Sequence, residues 1–228
     1  MVVLHYGCWL VMATFIPARN NYSAMRKRFT AVALLFACTL GIGYAFWQHD
    51  LQYQKPAPVP SGHRPVALGS QIDLTGLPTG TRRPVLLHFF NPACPCSRFN
   101  LKHFLSLVRR YEKQVTFCAV VPPNADLAEA AALLDGRVQI VADTDRRWSR
   151  RCGVYASPQA VLIDADRSLY YRGNYNRNRY CTRKETSFAE TALVALTNHQ
   201  PAPVFDAAAT TAYGCQLPQK SLEPKKAF

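Results

Sequence analysis

The stretch Phe89-Phe90-Asn91-Pro92-Ala93-Cys94-Pro95-Cys96-Ser97-Arg98 (FFNPACPCSR) sets two cysteines around a single proline. Before it, Val85 to Phe90 is an apolar run of strand length, broken only by His88; after it, Ser97 to Tyr111 carries apolar residues at helical spacing. Cys94 therefore falls where a strand hands over to a helix. A helix start offers unpaired N–H groups and the positive end of the helix dipole, both of which favour thiolate over thiol. Arg98, one turn on, adds positive charge to the same place. Three readings compete for the pair: a redox centre, a clamp for a soft metal, or a turn.

Working outward, strand and helix patterns alternate. Val85–Phe90, Val115–Val121 and Val138–Ala142 read as strands, and Ser97–Tyr111 and Ala125–Leu134 as the helices between them. A short helical pattern follows over Arg146–Cys152, then runs at Ala160–Ile163 and Leu169–Tyr171, then a last helix over about Thr186–Thr197. The two consecutive runs make a hairpin from Ala160 to Tyr175, turning at Asp164-Ala165-Asp166-Arg167-Ser168. This order predicts an α/β fold: a mixed central sheet, mostly parallel with one antiparallel edge, and helices on both faces.

Strand, Phe-Phe-Asn-Pro-Ala-Cys-Pro-Cys and helix, with Gly153-Val154-Tyr155-Ala156-Ser157-Pro158 ahead of a later strand, resemble thioredoxin-like proteins of the redoxin type. Val138-Gln139-Ile140-Val141-Ala142-Asp143-Thr144-Asp145 resembles the strand that precedes that family's inserted helix, and the likeness covers roughly residues 81 to 200. More narrowly, the chain is similar to membrane-anchored bacterial thioredoxin-like proteins that carry Cys-Pro-Cys-Ser and end in a Gly-Cys segment, here Tyr213-Gly214-Cys215.

The resemblance implies a thiol-disulfide oxidoreductase acting on protein thiols and disulfides, recharged by a membrane or soluble reductant and needing no cofactor. It makes Cys94 the nucleophile. Ser157-Pro158 would be a cis-proline loop facing the cysteines and offering backbone to an extended substrate; by itself an X-Pro bond is usually trans. The family commonly places a buried acid where this chain has His88. A histidine there can move protons near ambient pH, or can be a core side chain hydrogen-bonded to backbone. The chain departs from the usual two-residue spacing: Ser97 stands where the resolving cysteine belongs, and Cys96 is one residue closer. A Cys94–Cys96 ring would be tight, and so easily reduced and oxidising. Alternatively Cys152 or an outside thiol resolves Cys94. Cys118 reads as core, Cys152 also as a buried thiol, and Cys181 with Cys215 as a structural bridge tying down the C-terminal tail.

The first part of the chain bears on location. Phe29 to Trp47 is nineteen residues without a charge, close to the ~20 that cross a bilayer core. Arg26, Lys27 and Arg28 precede it and should stay cytoplasmic, which exports everything after Trp47. Ala45-Phe46-Trp47 is a poor cleavage site, and Leu35-Phe36-Ala37-Cys38 is a poor lipoprotein box, so an uncleaved anchor is expected. With the resemblance, this means a single-pass protein of the bacterial inner membrane with its C-terminal domain in the periplasm. The expected layout is residues 1–28 cytoplasmic, with 1–24 an over-long start before Met25; 29–47 the anchor; 48–80 a Pro-rich spacer; and 81–228 the domain with its tail.

The chain has 228 residues, 49% of them hydrophobic, and a formal charge of +13; all fourteen acids and 23 of the 27 Lys and Arg follow residue 49. Such a basic domain suits anionic lipid or acidic partners. Arginines interleaved with aromatics, as in Tyr170 to Tyr180, resemble nucleic-acid surfaces, but a solvated face fits an exported domain better and no nucleic-acid partner is expected. The alternative function is a soft-metal module holding Cu(I) on Cys94 and Cys96. His103 lies seven residues beyond Cys96, too far along the helix to complete it. A peroxidase of the peroxiredoxin kind would want Thr or Ser where Asn91 stands.

Overall fold

The computed structural model describes residues 21–78, 83–178, 180–181 and 184–218. The expectation of an over-long start falls almost wholly on residues 1–20, outside them. The chain divides into two compact units, Met1–Gln48 and His49–Phe228. Helix α1 begins at Asn21 and ends at Gln54, beyond both ends of the expected span. Its stretch Tyr22–Gln48 is long and apolar enough to cross a membrane, and its side chains are exposed. No proline interrupts the helix before Pro56, so nothing in the backbone ends it at Trp47.

The second unit is built on β1 (Val85–Phe89), α2 (Pro95–Tyr111), β2 (Thr116–Val121), α3 (Leu127–Leu133) and β3 (Gln139–Ala142). There follow α4 (Arg147–Cys152), β4 (Ala156–Ser157), β5 (Gln159–Ile163), β6 (Leu169–Gly173), α5 (Phe188–Thr197), α6 (Ala207–Thr210) and β7 (Cys215–Gln216). Five strands form one sheet in the order β3-β2-β1-β5-β6, with β1, β2 and β3 parallel and β5 antiparallel to β1. The hairpin β5–β6 forms as its sequence predicts, closing through Asp164 N–H to the Ser168 carbonyl. This is the α/β architecture that the order of elements predicts, a mixed central sheet, mostly parallel with an antiparallel edge.

β1 is buried along its whole length, as befits a strand between two covered faces. Alternation then divides the core. Leu86, Phe117, Ala119 and Leu162 face α2 and α5, packing on Phe104, Leu107, Leu193 and Leu196. Val85, Leu87, Phe89, Val120 and Val161 face the other way, onto Trp148 and Cys152 of α4 together with Ile72 and Leu74. Local chemistry fixes the helix ends. Pro95 fills the first position of α2, where its missing N–H costs nothing. Asp126 caps α3 by accepting from the Ala128 and Glu129 amides, and Asp143 accepts from Trp148 and Ser149 at the start of α4. Gly153 ends α4 at φ 67.

The expected spacer is the element that sequence reading placed wrongly. From Pro56 the chain lies on the domain: Ala57 N–H donates to the Ala212 carbonyl, and Gly69 and Ile72 bond to Leu169 and Arg167. Ile72 and Leu74 are buried, and Arg172 reaches from β6 to the Val66 carbonyl at 2.7 Å. The segment that suggested a tether instead runs over the domain through turns closed by His63, Ser70 and Leu77 amides, and its scattered apolar residues fill the α4 face of the sheet. Phe104, fully buried between the His88 and Phe117 rings, tests the opposite face. Phe104→Ala should cost about 3–5 kcal/mol of unfolding free energy, read from denaturant midpoints.

Candidate active site

Cys94 is the N-cap residue of α2, and the loop before it is folded by its own side chains. Asn91 accepts the Ala93 amide on Oδ1 and the Cys94 amide on its carbonyl, while its own N–H donates to Ser97 Oγ. These bonds aim Cys94 off the end of β1. Opposite stands the bond Ser157–Pro158, which is cis, and the Ser157 carbonyl oxygen lies 3.8 Å from Cys94 Sγ. That sulfur has no proton to donate, because it is joined to Cys215 in a disulfide with Cα atoms 6.2 Å apart.

Cys215 arrives on a strand. β7 pairs antiparallel with β4, setting Cys215 against Ser157 and Gln216 against Ala156, and the Leu217 amide donates to the Tyr155 carbonyl at 2.9 Å. The residues around β7 are fastened at several points. Tyr213 donates to the Asn176 and Asn178 carbonyls, Gln216 Nε2 donates to the Pro58 carbonyl, and Leu217 is buried in the α4-side core. Gly214 adopts φ 99, and a Cβ there would sit 2.4 Å from the Ser157 oxygen. The close approach of the tail to the proline loop thus requires glycine.

The cysteine pairings expected from sequence are corrected. Cys215 is bonded to Cys94, so the Cys181–Cys215 bridge does not form. Cys181 instead donates its thiol to Asn100 Oδ1 at 3.0 Å, and burial pushes that thiol up to about 12. No Cys94–Cys96 ring forms either. Cys96 lies on the buried face of α2, two residues into a helical turn, and side chains at i and i+2 diverge. Cys152, the other expected resolving thiol, is buried among the α4-side residues, where desolvation, with Asp143 adding to it, raises it to about 12. Cys118 is core, as its apolar strand predicts, and burial raises it to about 12 as well.

The Arg98 side chain donates to the Pro92 carbonyl and pairs with Glu129, so its charge is partly offset beside Cys94. His103 bonds to Ser187 Oγ, and among the described residues no group of three His, Cys, Asp or Glu is placed to hold a metal, which leaves the soft-metal reading without a third donor. His88 is fully buried, stacked on Phe104 with centroids 4.0 Å apart, and its Nδ1 shares a 2.9 Å hydrogen bond with Tyr175 OH rather than with backbone.

The family of the chain follows from residues 68–217, which match the model described as "Domain of unknown function (DUF6436)". The chain belongs to this family. No curated protein is similar enough in sequence to count as a relative. Among solved structures, a hypothetical protein of Sinorhizobium meliloti overlays with TM-score 0.57 at 16% identity, covering 68% of this chain and 95% of that one. An uncharacterized conserved protein of Geobacillus kaustophilus gives 0.54 at 18% identity over 72% and 98%. A secreted Mycobacterium tuberculosis disulfide oxidoreductase overlaps less, with 0.39 at 17% identity over 52% and 83%. The first two share the fold with this DUF6436 member.

Desolvation lowers His88 from 6.5 to about 3, so it is neutral at neutral pH and a weak base. The unfolded chain takes up this proton first. The stability that neutral His88 contributes is therefore complete above about 6.5 and drains away as pH falls toward 3. Denaturant midpoints of the wild type should drop through this window, by up to about 1.4 kcal/mol per pH unit, and His88→Gln should flatten the slope.

Proposed function

We propose that this protein is a thiol-disulfide oxidoreductase whose redox-active pair is Cys94 and Cys215. The observation that supports it is the disulfide that joins a cysteine at a helix N-terminus, beside a cis-proline loop, to a cysteine on the C-terminal tail. The helix start supplies N–H groups and dipole to stabilise a Cys94 thiolate when the pair is reduced. Cys118, Cys152 and Cys181 are held as thiols by burial and supply no comparable nucleophile.

The exchange runs in two substitutions. Cys94 thiolate attacks one sulfur of a protein disulfide; a mixed disulfide forms and the other substrate sulfur leaves as thiolate. Cys215 thiolate then attacks Cys94 Sγ, the second substrate thiolate leaves, and the Cys94–Cys215 bond closes. The substrate gains two electrons, which an external dithiol restores to the protein; run backward, the same steps oxidise a substrate dithiol. Ser157 and Pro158 form the substrate-facing loop. Cys96, beside the centre on α2, supports the site rather than resolving it, and His88 with Tyr175 holds the floor beneath α2 in an uncharged state.

Helix α1 serves as an uncleaved anchor, with Arg26, Lys27 and Arg28 on the cytoplasmic side and the redox domain in the periplasm. A compartment that sustains disulfides suits the pair. A reporter enzyme that matures only outside the cytoplasm, fused after residue 228, should be active and membrane-bound; an inactive fusion would place the domain inside.

Cys94→Ser should abolish insulin disulfide reduction, Cys215→Ser should accumulate the mixed disulfide, and Cys118→Ser should leave the rate unchanged. Peptide mapping of the oxidised protein should recover Cys94 linked to Cys215. Full activity in Cys94→Ser would sink the reading.

A further inference from the structure

Resting on that reading, the structure assigns a second role to the tail: β7 occupies the strand position that the substrate peptide takes, so resolving the mixed disulfide and expelling the product strand are one event. The residues around β7 supply what a captured peptide would. A cysteine is bonded to Cys94, its residue stands in antiparallel register with Ser157, and the residue two further on gives its amide to the Tyr155 carbonyl. The tail therefore has the form of a mixed disulfide closed within one chain.

β4 is only two residues long and presents one paired edge at the cysteine, and β7 fills it. A peptide and the tail cannot both pair there. When Cys94 has captured a substrate, the tail must be displaced. When Cys215 returns to attack Cys94 Sγ, it brings Gln216 and Leu217 back onto Ala156 and Tyr155, and the departing thiolate leaves on a strand that has lost its hydrogen bonds. The contacts of the tail also define the substrate class. Leu217 is buried on the α4-side core with Phe89 and Val120, so the preferred partner is an extended segment with an apolar residue two positions after its cysteine and a free N–H at that residue.

The test uses the reduced full chain in detergent with Cys215→Ser, so that the reaction stops at capture. The probe is a peptide Tyr-Gly-Cys-Gln-Leu whose cysteine is activated as its thionitrobenzoate disulfide. Cys94 thiolate attacks the peptide sulfur, the peptide–Cys94 bond forms and coloured thionitrobenzoate leaves. Adding Gly214→Ala, which cannot seat against the Ser157 oxygen, should speed capture roughly ten-fold by vacating the edge. Tyr213→Phe, which loses the bonds to Asn176 and Asn178 without a clash, should speed it by about five-fold. In the peptide, proline for leucine removes the N–H and serine for leucine removes the apolar side chain; each should slow capture about five-fold or more. Equal rates with and without both tail substitutions, or indifference to the peptide's final residue, would overturn the shared strand position while leaving Cys94 chemistry standing. Loss of capture in every variant, with Cys94 still alkylated by iodoacetamide, would overturn the oxidoreductase reading and this inference together.

Discussion

The domain depends on bringing the Ser157 carbonyl, the start of α2 and Gly214 to one point, where Cys94 and Cys215 are joined. β4 offers an edge beside Cys94, and Gly214 lets the tail approach within a distance that a Cβ would forbid. Around that point the rest is support. Asn91 and Ser97 hold the loop, and Pro95 starts the helix without wasting an amide. Tyr213, Gln216 and Leu217 fasten the tail to three separate parts of the domain.

The same arrangement accounts for a cysteine spacing that looks defective in the linear chain. The resemblance places the thiol that would resolve Cys94 on the same helix, where this chain has Ser97. Its hydroxyl accepts the Asn91 amide, so the position has been given to loop geometry. The second sulfur of the pair comes from 121 residues away. In the chain-entropy picture, closing a loop of that size constrains the unfolded state by roughly 4–5 kcal/mol, so this disulfide also steadies the domain while it is closed.

Buried ionisable groups beneath the site are kept uncharged. His88 is pushed down and the Tyr175 hydroxyl pushed up by the same desolvation, and the two share a single hydrogen bond at His88 Nδ1, while Nε2 is buried without a partner among the described residues. Neutrality here keeps the core under α2 free of an unpaired charge, which would cost several kcal/mol. The segment from Pro56 to Pro78 belongs to this economy of burial too, since Ile72 and Leu74 cover the α4 side of the sheet.

The sequence by itself determined the alternation of elements, because the spacing of apolar residues must match a pleat or a helical turn whatever the chain folds against. A strand over Val85–Phe90, a helix over Ser97–Tyr111 and a hairpin from Ala160 to Tyr175 were legible in this way, as was Cys94 at a helix start, while the uncharged run Phe29–Trp47 was legible from its length and composition. The fate of residues 56–78 was not legible, since prolines and isolated apolar residues read alike in a tether and in a strap packed on a domain. Nor was the partner of Cys94. The sequence offers Cys96, Cys152 or an outside thiol to Cys94 and sets Cys181 with Cys215, and pairing is a matter of three-dimensional approach that spacing does not encode. Only the tertiary structure decided it: the helix turn carries Cys96 inward, burial holds Cys152 and Cys181 as thiols, and pairing of two residues on either side of a ladder sets Cys215 against Ser157 and so against Cys94.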